Sequence, residues 1–171
     1  MINAVVTALV LIVNFILQST ILHVVEIRGA IPDTMLIIVV SYALLRGQNA
    51  GASTGFFAGL LYDVFFGNSI GFYALMGMLT GYFCGICHRN FYRENFVLPV
   101  TLSATANIIT GLIIYLTGFL FNKSYNVFYY IVSVIIPQAV YTGIVALPIY
   151  RILYGINKKV ELKEKERRKL F

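Results

Sequence analysis

The 171 residues are 59% hydrophobic and only 12% charged, with a mean hydropathy of +0.82. A water-soluble domain carries about 25% charged side chains, so one core inside a solvated shell is excluded and the bilayer is the expected solvent. The net charge of +6 falls in short segments between apolar runs and at the C-terminus, a pattern that orients a membrane protein and gives no exposed surface for nucleic acid.

A spanning helix needs ~20 residues to cross ~30 Å of hydrocarbon. The apolar runs predict an all-α protein of six transmembrane helices, at about 3–25, 32–45, 50–66, 70–88, 96–121 and 127–154. Together they make one domain over 1–157, followed by a basic cytoplasmic tail over 158–171. The first run has no Lys or Arg before it and no small-x-small cleavage site after it, so it reads as a retained helix. Asn3, Thr7, Asn14 and Gln18 share one face of that helix by their spacing. Asp33, after Pro32, is placed to cap the second helix and to favour its positive end.

The second and third spans are short. Arg46 can snorkel to the interface and extend the second, and Gly47-Gln48-Asn49 is turn-like, so the two read as a helical hairpin. One bent span over 32–66 would bury Arg46 at its centre, at a cost of ~2.5–3.5 kcal/mol. The third span carries Gly51, Gly55 and Gly59, and the fourth carries Gly77, Gly81 and Gly85, in both cases four apart. Such stripes let backbones approach where hydrophobicity gives helices no reason to associate, so the two spans are expected to pack on each other. Asp63 continues the first stripe near the outer end of its span, as a candidate partner- or cavity-facing group in a position that water reaches. Ser103, Asn107 and Thr110 in the fifth span, and Gln138, Tyr141 and Thr142 beside Pro137 in the sixth, suggest interhelical hydrogen bonds or a small polar cavity. In the tail, Glu161–Lys165 and Glu164–Arg168 are i,i+4 pairs, consistent with the last helix continuing past the membrane to contact anionic lipid.

With both termini inside, the cytoplasmic cations are Arg46, Arg89, Arg93, Arg151, Lys158, Lys159, Lys163, Lys165, Arg167, Arg168 and Lys169, against Arg28 and Lys123 outside. The positive-inside rule therefore puts both ends in the cytoplasm and requires an even number of spans.

Catalytic signatures are missing from the sequence. Cys84-Gly85-Ile86-Cys87-His88 spells the haem-attachment pattern, yet it ends a membrane helix on the cytoplasmic side, the wrong context for haem. His23 lies toward the opposite face, which leaves zinc short of ligands. There is no P-loop, nucleophile elbow or H-E-x-x-H. No enzyme activity, cofactor or metal is expected.

Several fragments, in order, resemble the MreD family of rod shape-determining proteins. These are Asn14-Phe15-Ile16-Leu17-Gln18-Ser19-Thr20, Pro32-Asp33, Leu44-Leu45-Arg46-Gly47, the dense block from Gly55 to Gly67, Gly71-Phe72-Tyr73-Ala74-Leu75, and Tyr92-Arg93-Glu94-Asn95. The likeness covers the first two-thirds of the chain by motif and the remainder by length and layout. It implies a non-enzymatic scaffold of the bacterial cell-wall elongation complex in the inner membrane. Its partner would be MreC, and the resemblance implies that the complex of the two links MreB filaments to the polymerase RodA and its transpeptidase during side-wall peptidoglycan synthesis. The implied fold is similar to the substrate-binding subunits of energy-coupling factor transporters. A vitamin-binding subunit of that kind is thus the rival function, with Ala4 and Ala8 as its docking residues. Asp63, Gly51, Gly55, Gly59, Asn14, Gln18, Asp33 and Arg93 are the candidates to line a cavity or meet a partner.

Overall fold

The computed structural model describes residues 2–20, 31–66, 71–90, 97–121 and 130–169. Arg28, Arg93, Lys123 and the side chains of the tail's ion pairs lie outside the described residues. Those residues form six α-helices: α1 (Ile2–Thr20), α2 (Thr34–Arg46), α3 (Gln48–Phe66), α4 (Phe72–Ile86), α5 (Val97–Phe121) and α6 (Ile136–Lys169). A 3-10 turn over Cys87–Asn90 ends α4, and a π-helical turn over Ile131–Ile135 leads into α6. Pro137 explains that turn, because it has no N–H to return to Ser133 and its ring crowds the carbonyl one turn back.

At the centre is α2. Every residue from Thr34 to Leu45 is buried, and the helix packs against α1, α3, α4, α5 and α6. Its 13 residues rise only about 20 Å, too little to cross ~30 Å of hydrocarbon. A helix enclosed by five others meets protein rather than lipid, so its length need not match the bilayer; backbone ends at membrane depth are tolerated where protein satisfies them. The hairpin turn is tighter than Gly47-Gln48-Asn49 suggests. Gly47 alone breaks the helix, with φ of 91°, and α3 starts at Gln48. A side chain is strained at that φ; glycine is not.

The outer surface is apolar. Val5, Leu9 and Ile16 on α1, Phe57 and Phe65 on α3, Phe83 on α4, Ile109 and Leu116 on α5, and Val140, Ile144 and Ile152 on α6 are all exposed. Among the described residues two helical stretches, Val97–Thr117 and Ile131–Val160, are long and apolar enough to span a membrane, and only 22% and 28% of their most apolar windows are buried. The core helix of a soluble protein would be mostly covered; these present their hydrocarbon outward, as a lipid-facing helix does.

The closest helix pair is α3 with α4. A Cβ placed on Gly51 would land on the carbonyl of Gly81, and one on Gly81 on the carbonyl of Gly51. Gly55 and Gly77 oppose each other in the same reciprocal way, Gly59 lies against the Tyr73 carbonyl, and Gly85 lies 2.5 Å, by its would-be Cβ, from the Gln48 Cα. Each four-residue step along α3 is a four-residue step back along α4, so the two ladders form one antiparallel seam of backbone on backbone.

Candidate functional site

The polar residues gather mainly at the end of the bundle where α2 and α4 begin. The first four amides of a helix lack partners within it, and here side chains from other helices supply them. The Asp33 Oδ1 accepts from the Leu36 amide at 2.9 Å, capping α2. On α1, the Gln18 Oε1 accepts from the Thr34 hydroxyl at 2.9 Å and from the Met35 amide at 3.2 Å. On α6, the Thr142 hydroxyl accepts from the Asp33 amide at 3.2 Å. Two other helices, α1 and α6, thereby join the helix's own N-cap residue in holding its start.

The start of α4 is held differently. Its N-cap position is Gly71, with φ of 104° and no side chain to offer. Asp63, the rung after Gly59 on the seam, takes over: Oδ2 accepts from the Gly71 and Ala74 amides at 2.9 Å each, and Oδ1 from the Tyr73 amide at 3.0 Å. Asp63 is only 1% exposed. The expectation of a water-reached position is therefore corrected, because the seam carries the carboxylate onto the amides of α4 and covers it. The signal was Gly71 eight residues downstream, at a helix start with no cap of its own.

The opposite end of α2 is also held. The Arg46 Nε donates to the Asn157 Oδ1 of α6 at 2.7 Å, and the guanidinium lies 5.4 Å from the Tyr42 ring centre. The His88 Nδ1 is 2.6 Å from the Leu44 carbonyl; a carbonyl only accepts, so that nitrogen carries the hydrogen. Cys84 is buried and Cys87 half-buried on the same turn as His88, which the contact with α2 holds in place.

Among the described residues, open space between the helices includes a cavity and a groove. One, of about 290 Å³, is bounded by α2, α3, α4, α5 and the start of α6, and its polar lining is Asp33, Tyr62, Tyr73, Tyr130, Gln138, Thr80 and Thr110. Gly55, Gly59 and Gly77 form part of its wall. The other is a groove of about 520 Å³ between α1, α2 and α3, mostly apolar, with Arg46 and Tyr42 toward one end.

Of the candidates, Asp33, Gly55 and Gly59 line the smaller cavity, while Gln18 is one residue removed through Thr34 and Met35. Gly51 stays within the seam, as do Gly81 and Gly85. Asn14 is buried, and its Nδ2 has no hydrogen-bond partner among the described residues. Arg93 lies outside them. The hydroxyls of Ser103 and Thr110 return to the carbonyls of Pro99 and Ala106 one turn back on α5 and do not bridge helices, a bond always in reach of a helical Ser or Thr; Thr110 and Gln138 instead line the smaller cavity, the other arrangement expected of these polar faces. Tyr62, Tyr73 and Tyr130 were not singled out from the sequence, although each sits near a helix end on the cavity's side.

The sequence model of the family described as rod shape-determining protein MreD matches residues 1–160. No curated protein and no solved structure matches the chain.

Proposed function

The chain belongs to the MreD family, a family of membrane proteins with a role in rod shape determination, and from that premise we propose that it is a non-enzymatic scaffold of the cell-wall elongation complex. In this reading it lies in the inner membrane as six spans with both termini cytoplasmic, binds MreC, and through it guides RodA, its partner transpeptidase and MreB during peptidoglycan synthesis. The observation that carries a scaffold role is where the polar groups between the helices are used. Buried Asp63 and Thr142 and half-buried Gln18, Arg46 and His88 all hold helix ends, so these contacts favour rigidity. The proposed topology is supported by Arg46 at the end of α2, by Asn157 of α6 beside it with Lys158 and Lys159 following and Arg151 further back along α6, and by Asp33 and Asp63 at the other end of the bundle. A fold similar to the substrate-binding subunits of energy-coupling factor transporters is part of the same proposal.

Affinity-tagged MreC purified from membranes should bring the protein with it at near-equal amounts. Failure to do so in a mild detergent, with both proteins abundant in the input, refutes the scaffold assignment. Reporter fusions at Gly47 and Tyr92 should read cytoplasmic and those at Gly29 and Asn122 external; a cytoplasmic signal at Gly29 refutes the topology.

A further inference from the structure

The cavity at the start of α2 and α4 has a definite chemical bias. Among its described lining residues Asp33 carries the only charge, and no Lys or Arg faces it. Among the described residues, two carboxylates lie at this end of the bundle and are used differently. Asp63 is filled by three amides and sealed at 1% exposure. Asp33 gives Oδ1 to the Leu36 amide, yet stays partly exposed and borders the open space. An ionised carboxylate has about four acceptor sites, so capping leaves Asp33 with capacity to accept from a bound molecule.

The remaining lining suits a cation. Tyr62, Tyr73 and Tyr130 come from three different elements onto one space, with the Tyr62 and Tyr73 rings 4.7 Å apart. Aromatic faces attract ammonium groups, most strongly where water is scarce. Gln138, Thr80 and Thr110 add hydrogen-bonding groups around the wall. An anion would meet Asp33 unfavourably, and a purely apolar molecule would desolvate the carboxylate without replacing its hydrogen bonds. The cavity of about 290 Å³ greatly exceeds the ~30 Å³ share of one water and approaches the ~300 Å³ lower bound of small-molecule sites.

We infer that this cavity binds a small organic ammonium group, with the positive charge on Asp33 and its methyl or methylene groups against Tyr62, Tyr73 and Tyr130. The group belongs either to a free amine or to an aminophospholipid headgroup. The inference goes beyond scaffolding and does not depend on it.

The test uses the full chain in phosphatidylglycerol nanodiscs, with choline and its neutral isostere 3,3-dimethyl-1-butanol as probes. The chain has 12 Tyr and no Trp, so binding is read by tyrosine emission and checked by calorimetry. Choline should bind saturably, and the isostere roughly tenfold more weakly or not at all. Asp33→Asn retains a good N-cap residue, so its melting temperature should hold while choline affinity falls roughly tenfold or more. Gln138→Leu should also weaken binding. Replacing half the lipid with phosphatidylethanolamine separates the sources: competition with choline identifies the headgroup, and unchanged choline affinity identifies a free amine. Equal affinity for choline and isostere, undiminished binding by a folded Asp33→Asn protein, or no saturable choline binding overturns the inference. MreC co-purification is read separately, so either conclusion can fail without the other.

Discussion

Replacing Asp63 with Asn removes a charge from a sealed position and tests whether the carboxylate holds α4 in place. The present carboxylate accepts three amide hydrogen bonds, two on Oδ2 and one on Oδ1. An asparagine has one acceptor oxygen, so at best it keeps the Gly71 and Ala74 bonds. Its NH2 then faces the Tyr73 N–H, donor against donor. A hydrogen bond to a charged group contributes about 1.5–3 kcal/mol, and a buried donor left unsatisfied costs about 1–3 kcal/mol. With partial relaxation the loss should be about 2–4 kcal/mol, a large share of the ~5–15 kcal/mol that separates folded from unfolded domains. Hydrogen exchange is the most direct assay. If opening is local, the amides of Gly71, Tyr73 and Ala74 should exchange about 30- to 1,000-fold faster, since ~1.4 kcal/mol is tenfold. Membrane abundance and the detergent melting temperature should fall with it, and rod shape should fail in proportion to abundance. Unchanged exchange at those amides with an unchanged melting temperature would refute the capping role. Normal abundance with lost shape would instead mean that Asp63 meets a partner.

Further substitutions probe the other contacts. Gly55→Ala puts a methyl group onto the Gly77 carbonyl and should cost about 1–3 kcal/mol through forced separation of α3 and α4, read as a lower melting temperature; no change refutes the close seam. Gly71→Ala meets nothing within 4 Å but must hold a φ of 104°, so about 1–2 kcal/mol should be lost through backbone strain alone. Gln18→Ala strands the Met35 amide and the Thr34 hydroxyl, and about 1–3 kcal/mol should go with them; unaltered stability would show that α1 does not cap α2. Asn14→Leu replaces an amide whose Nδ2 is buried without a partner and should leave stability equal or higher, so a clear loss would point to a contact of Asn14 outside the described residues.

What was legible in the sequence is what period and turn chemistry control. Glycines four apart lie on one helix face whatever surrounds them, so the ladders could be read from Gly51–Gly59 and Gly77–Gly85 without a structure. Arg46-Gly47 likewise marked the hairpin. The position of α2 was not legible, because lipid is as apolar as a protein core and a central helix composed of Ile, Val and Leu looks like a lipid-facing one. Its shortness was the only trace, and it follows from enclosure. The hydroxyls were ambiguous for a related reason. Thr142 reaches another helix while Ser103 and Thr110 bond their own, and nothing in the residue type separates the two outcomes. The cavity was the least legible feature, since it exists only where Tyr62, Tyr73, Tyr130 and Asp33, spread over about a hundred residues of chain, converge.

These contacts also decide which parts of the bundle can move independently. Backbone packed on backbone does not slide: shifting α4 along α3 by one residue, ~1.5 Å, brings residues with side chains toward positions where even a Cβ would overlap a carbonyl. The seam therefore joins α3 and α4 into one body, and Asp63 locks its end. Because α2 is bonded to α1 and α6 at its start and to α4 and α6 at its finish, displacing any of those helices strains a partly buried polar contact at an end of α2. Removing one partner of such a contact leaves the other unsatisfied, at ~1–3 kcal/mol each. A displacement of α6 is thus felt at both ends of α2, through Thr142 and Asn157, and not in one helix alone. Such coupling suits the scaffold role proposed above.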